Sequence, residues 1–156
     1  ALKNPFKMPM FQGPVNVFVD GTLTNRISIN ETILPKAATK MALGVDPSLS
    51  IKRTLKRKFT ETKGLFSKEE KIRYEYEIEI SNGKPIPVTL TVQDRIPISQ
   101  NEKIVVQRIR PTEQEASISE EGIITWNIQL KAREQKTLPV IFTVSYPEGE
   151  RVVGLP

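Results

Sequence analysis

From Tyr74 to Val92 the chain alternates in chemistry on both sides of a polar turn signal. Tyr74, Tyr76, Ile78 and Ile80 alternate with Glu75, Glu77 and Glu79. A period of two is the pattern of a strand with one dry face and one wet face. Asn82-Gly83 follows, the residue pair that best supplies the two positive-φ positions of a tight hairpin turn. Ile86, Val88, Leu90 and Val92 then alternate with Pro87, Thr89 and Thr91. The stretch therefore predicts a β-hairpin with a marked buried face, and it restricts the chain to folds that can cover such a face.

The same patterning recurs along the chain. Val15, Val17 and Val19 alternate, Asp20-Gly21 is a second hairpin-turn signal, and Leu23 to Ile29 reads as the return strand. Residues 31–42 fit either a short helix after Pro35 or a strand around Met41–Leu43. Ser48 to Thr60 reads as one long strand, with Ile51, Arg53, Leu55, Arg57 and Phe59 on one face and Lys52, Thr54, Lys56 and Lys58 on the other. Ser67 with Glu70 could cap one helical turn. Ile96-Pro97-Ile98 predicts a bend at a sheet edge, because proline cannot donate to a ladder. Strands follow at Lys103–Ile109, Ile124–Leu130 and Leu138–Tyr146, with polar loops over 110–122 and at KAREQK. Strands at this spacing without a long helix indicate an all-β, antiparallel β-sandwich. Residues 67–156 have the size of an immunoglobulin- or fibronectin-like unit, and residues 1–66 form an additional N-terminal β portion.

Composition narrows the chemistry. The chain has 156 residues, enough to bury a core, and it contains no Cys and no His. Disulfides, thiol nucleophiles, thiolate metal sites and the usual neutral-pH proton shuttle are thereby absent. No cofactor-binding loop, serine elbow or metal motif is present. The net charge of +5 is uneven. Residues 1–78 hold 14 Lys and Arg against 8 Asp and Glu, and residues 79–156 hold 9 against 10. No apolar run approaches the roughly 20 residues of a membrane helix, and ALKNPFKMPM has no signal-type apolar core. Without an initiator Met, the chain is expected to be cut from a longer one.

Three groups of residues invite a functional reading. Lys52, Lys56 and Lys58 could meet a polyanion such as an acidic polysaccharide, or an acidic partner protein, in a salt-dependent way. The plainer reading is a solvated strand edge on which Lys blocks aggregation. No recognition helix or RNA-binding aromatic motif points to specific nucleic acid binding. Asp94, with Glu102 nearby, could serve glycoside hydrolysis, which needs two carboxyls across a cleft. The structural alternative is an Asp94–Arg95 pair fixing the Pro97 bend. Tyr74, Tyr76 and Trp126 could stack on sugars, but they share faces with Ile78, Ile80, Ile124 and Ile128, so core packing is the default. Asn30-Glu31-Thr32 fits a glycosylation acceptor, as many tripeptides do. On the residues alone the chain reads as a non-enzymatic interaction domain, with a carboxylate-based glycan enzyme as the rival.

Several phrases occur together in order: GPVNVFVDG at 13–21, LGVDPSLSIKR at 43–53, YEIEISNGKPIPVTLTVQDRIPISQNEKIVV at 76–106 and GIITWNIQLKAREQKTLPVIFTVSYP at 122–147. In these the chain resembles the C-terminal domain of unknown function of the mucoidy inhibitor A family. It departs from that pattern at PKAATK, 35–40, where the family tends to have a Pro-Gly turn. The resemblance implies a β-sandwich that follows a small N-terminal domain and a coiled coil. It also implies a bacterial envelope setting for many members, cytoplasm staying open for this chain, and an effect on exopolysaccharide production for the namesake. It implies no reaction and no site residues. Oligomerisation would then belong to the coiled coil, leaving this piece a monomer or weak dimer.

Overall fold

The computed structural model describes residues 2–19, 21–41, 44–61 and 69–149. Every regular element among them is a β-strand, and all pairings are antiparallel. The chain divides into two units, Ala1–Asp46 and Pro47–Pro156. This division falls ahead of the soft boundary expected near residue 66, and the long basic strand pairs with the described strand after it.

In the first unit, β1 (Leu2–Lys3) pairs with β4 (Ala38–Thr39), and β2 (Gly13–Val19) pairs with β3 (Thr22–Ile29). The β2–β3 ribbon is the hairpin signalled by Asp20-Gly21, although Asp20 itself lies outside the described residues. Among the described residues no helix follows Pro35, and residues 42–43 of the alternative strand lie outside them. The unit is tied by Asn4, only 1% exposed. Its side-chain amide donates to the carbonyls of Met8 (3.0 Å) and Ile33 (2.9 Å) and accepts from the Phe6 N–H (2.9 Å).

The second unit contains two sheets. One has the order β5-β6-β11-β8 (Leu49–Glu61, Glu69–Asn82, Gln135–Pro147, Val105–Arg110) and the other β7-β10-β9 (Val88–Arg95, Ile123–Leu130, Ser117–Ile118). Glu70 lies within β6, so it caps no helical turn; Ser67 lies outside the described residues. Alternate residues of β6 and β11 join those of β7 and β10 in one buried cluster, including Tyr74, Ile78, Val92, Trp126, Leu130 and Phe142. Two sheets sharing one core make a two-layer sandwich. The Phe142 ring stacks on Tyr74 at 5.1 Å and on Tyr76 at 6.2 Å, and Val88 and Leu90 are half-buried at its margin. In the immunoglobulin order the last strand sits in the smaller sheet. Here the last described strand, β11, sits in the larger one, which is not the immunoglobulin order.

The expected hairpin between β6 and β7 does not form. β6 pairs with β5 and β11, and β7 pairs with β10 in the opposite sheet. Pro85 and Pro87 remove the donors that a return strand would need, so strand structure resumes only at Val88. Residues 83–87 instead carry the chain from one sheet to the other. Gly83 is required by a close approach and not by a positive-φ turn. Its N–H donates to the Ser48 carbonyl at 2.7 Å, and a Cβ there would lie 2.8 Å from that oxygen.

Asn82 holds this corner. It continues the inward parity of Tyr74 to Ile80 and is 1% exposed. Its amide nitrogen donates to the carbonyls of Ile86 (2.9 Å) and Lys131 (2.8 Å), and its oxygen accepts from the Lys84 N–H (3.0 Å). Its backbone N–H donates to Glu134 (2.9 Å), and the Arg133 N–H donates to Lys84 (3.1 Å). Another inter-sheet passage, 131–134, is thereby tied to 83–87.

Two stability predictions follow from this packing. Asn82→Ala should lower unfolding free energy by about 2–4 kcal/mol, from three lost part-buried bonds and a cavity at a buried position. Asn82→Asp should be no better, since a carboxylate would face two carbonyls. Trp126→Ala should cost about 3–5 kcal/mol. Urea unfolding midpoints check both, and a shift under about 0.5 kcal/mol for either alanine variant would contradict the packing.

Candidate functional site

β5 ends its sheet, and its side chains were the strongest functional candidates. Opposite β6, Ile51, Arg53 and Leu55 face Ile80, Ile78 and Tyr76. Lys52 and Thr54 face Glu79 and Glu77 on the outer surface. Between Leu55 and Arg57 the register shifts, because Lys56 is an extra, bulged residue. A bulge of one residue exchanges the faces beyond it. Lys58 therefore lies on the inner face opposite Tyr74, while Arg57 and Phe59 turn outward opposite Glu75 and Arg73. The expectation that Lys52, Lys56 and Lys58 point the same way is corrected, and so is the expectation that Arg57 accompanies Arg53.

The outer surface is a ladder of opposite charges. The Lys56 ammonium reaches Glu77 at 3.0 Å and Glu79 at 3.5 Å. The hydrogen bond and charge of Glu77, then those of Glu79, hold the Lys56 pKa above its ordinary value. Arg73 pairs with Glu75 at 2.8 Å and lies 5.9 Å from the Phe59 ring centre. On the inner face Lys58 sits 5.0 Å from the centre of the Tyr74 ring.

Arg53 occupies the flank of the sandwich. Its guanidinium lies 3.6 Å from the Tyr76 ring centre, and its Nε donates to Asp94 Oδ2 at 2.9 Å. Asp94 shares the inward parity of Leu90 and Val92 on β7, and its side chain is 15% exposed. The bond therefore joins the end strands of the two sheets. A planar cation stacked on an aromatic face while donating to a carboxylate is a role that Arg fills and Lys does not. Asp94 thus pairs with Arg53 and not with Arg95, which is exposed opposite Ile123. Gly122 secures the Pro97 bend instead. The Ile96 N–H donates to the Gly122 carbonyl at 3.0 Å, and at φ 78° a Cβ on Gly122 would come within 2.5 Å of the Ile96 oxygen.

Glu102 is exposed in the loop between β7 and β8. Tyr74, Tyr76 and Trp126 are 0%, 5% and 3% exposed, so none offers a ring face to a sugar. A groove of about 390 Å³ runs beside Ile96, Ile98, Ile104, Val106, Arg108 and Ile118, with Glu120 its one carboxylate. A second depression, about 320 Å³ in the first unit, contains Glu31, which accepts from Thr39. Neither includes Asp94 or Glu102. Among the described residues no cluster of His, Cys, Asp or Glu could hold a metal, and no helix is long and apolar enough to cross a membrane.

Sequence reading missed Asn82, Asn4 and the Arg53–Asp94 bond. For Asn82 a signal existed: it is a polar residue at the dry parity of an alternating strand. Two further polar contacts lie at the sheet margins. Glu115 accepts from the Thr112 N–H (2.7 Å) and pairs with Arg110, and the Thr112 bond is the chief cause of its lowered pKa. Tyr146 donates to Glu70 at 2.8 Å, a bond that, with burial, raises the phenol pKa.

A family described as a domain of unknown function, DUF4139, matches residues 7–148. The chain belongs to the DUF4139 family. This DUF4139 chain is also 25% identical over 160 residues to Protein F37C4.5 of Caenorhabditis elegans, a match that covers 96% of this chain and 29% of that protein. It spans less than a third of that relative's length. No solved structure matches it.

Two predictions test the site. Arg53→Ala should destabilise the domain by about 1–2 kcal/mol, and Arg53→Lys should recover only part of that, because Lys keeps the charge without the stacked fork. Equal stability of the Lys variant and wild type in urea would contradict the stacking. For Tyr146 the folded-state pKa is raised, so its contribution is complete below the ordinary tyrosine value of about 10 and is lost as pH climbs through the folded value. The stability gap between wild type and Tyr146→Phe should be constant from pH 7 to 9 and shrink above about 10. A gap that widens with alkaline pH would refute this.

Proposed function

We propose that this chain is a non-enzymatic β-sandwich interaction domain. The observation that carries the reading is the Arg53–Asp94 bond. The best-placed acid of the rival glycan enzyme is engaged at 2.9 Å across the two sheets, and Glu102 stands exposed in a separate loop. Glycoside hydrolysis needs two carboxyls facing one sugar bond. Neither depression described above brings such a pair together. The buried aromatic residues favour the same reading, since their rings are spent on the core. The missing His and Cys favour it as well.

The finer assignment, to the mucoidy inhibitor A family with its envelope setting and exopolysaccharide link, rests on the sequence phrases alone. The contact surface on this reading serves a protein more readily than an acidic polysaccharide. The bulge separates Lys58 from Lys52 and Lys56, and Lys56 already has two carboxylate partners. Incubation with neutral and acidic polysaccharides, followed by assay of new reducing ends, tests the proposal. Wild type and the Asp94→Asn, Glu102→Gln double variant should both release none. Release by wild type that the double variant lacks would establish the enzyme instead.

A further inference from the structure

We infer that the outer edge of β5 receives an extended segment of a partner protein whose residues alternate acidic and apolar, adding a fifth strand to the sheet. This deepens the reading of the chain as an interaction domain and rests on it. β5 is 13 residues long and terminal in its sheet, and no described strand lies beyond it. A long strand of that kind is a ready template for strand addition.

The side chains specify what can add. Those of a strand stand between both neighbours, so the residues that meet β6 also flank the open edge. On the β6 side, Glu79 lies opposite Lys52 and Glu75 opposite Arg57, and Lys56 bonds Glu77 and Glu79. Carboxylates of an added strand on this face would meet Lys52 and Arg57, with Thr54 and the bulged Lys56 between them. On the other face Ile51 is 61% and Leu55 43% exposed, although both share the face of the buried Tyr76 and Ile80. Apolar residues at the intervening positions of the added strand would cover them. β6 itself, YEYEIEI, carries this alternation, so the chain already contains one strand that fits.

A second copy of β5 fits poorly. Antiparallel pairing of two β5 edges opposes one Lys52–Lys58 run to another, and like charges directly opposite are destabilising. The bulge at Lys56 further interrupts a flat self-pairing edge.

The test uses a fluorescent peptide copying residues 74–82, YEYEIEISN, and a control with its three Glu replaced by Lys. Anisotropy titrations with wild type should saturate for the acidic peptide, weaken as salt rises, and fail for the lysine control. Lys52→Glu and, independently, Ile51→Glu should each weaken binding about tenfold, or roughly 1.4 kcal/mol. Both positions are exposed, and circular dichroism confirms folding of each variant. Amide shift changes on bound wild type should map to β5 and spare β8. No binding, equal binding of the control, indifference to both variants, or a stable β5-linked dimer without peptide would each overturn the inference. Loss of this surface with no polysaccharide cleavage leaves the non-enzymatic reading standing. Cleavage would remove that reading whatever the peptide does.

Discussion

Asn82 makes a connection that the two sheets of the second unit need. Each sheet must lend its apolar face to a shared core, so the chain has to pass between layers. Both of the passages that meet at this corner, 83–87 and 131–134, expose carbonyls at the margin of the core. A buried carbonyl without a donor costs free energy comparable to a lost hydrogen bond. The two amide hydrogens of Asn82 serve one carbonyl from each passage, and its oxygen serves the first passage again. One side chain therefore satisfies both corners and fixes their spacing. β6 can then lie between β5 and β11 while β7 crosses to the other layer. Asn4 repeats the device in the first unit, with two donated bonds and one accepted.

The strands and their dry faces were legible because side-chain parity is local. Tyr74 to Ile80, Ile124 to Leu130 and Leu138 to Tyr146 each place their apolar residues inward as the alternation requires. What parity cannot show is which strand lies alongside. Asn82-Gly83 looks like a hairpin turn by residue type, yet Pro85 and Pro87 stand where the return ladder needs donors. Pairing is settled by the long matches of β6 to β5 and β11. The bulge at Lys56 was invisible for a related reason. It leaves no composition of its own, and one added residue reverses the direction of every side chain after it. Lys58 and Phe59 were misplaced on that account.

The candidate site was legible in its residues and not in its contacts. Arg53 stands on the inner face as its parity requires, with its guanidinium over the Tyr76 ring. Its acid comes from the opposite sheet, 41 residues onward, a distance that no local pattern spans. The basic strand that looked like a polyanion patch is interleaved with the glutamates of its neighbour. The charge excess of the N-terminal half is therefore partly answered within the sheet. Among the described residues no strand pairs with its other side.

The central structural claim is that β6 is a middle strand and turns a corner at Asn82 where a hairpin was signalled. Cross-strand nuclear Overhauser effects on the isotope-labelled protein test it most directly. Contacts should join Tyr76 to Val140 and to Leu55, and Ile80 to Lys136 and to Ile51, the observed register partners. A continuous ladder of contacts between β6 and β7 starting at Asn82, with none from β6 to β11, would contradict it.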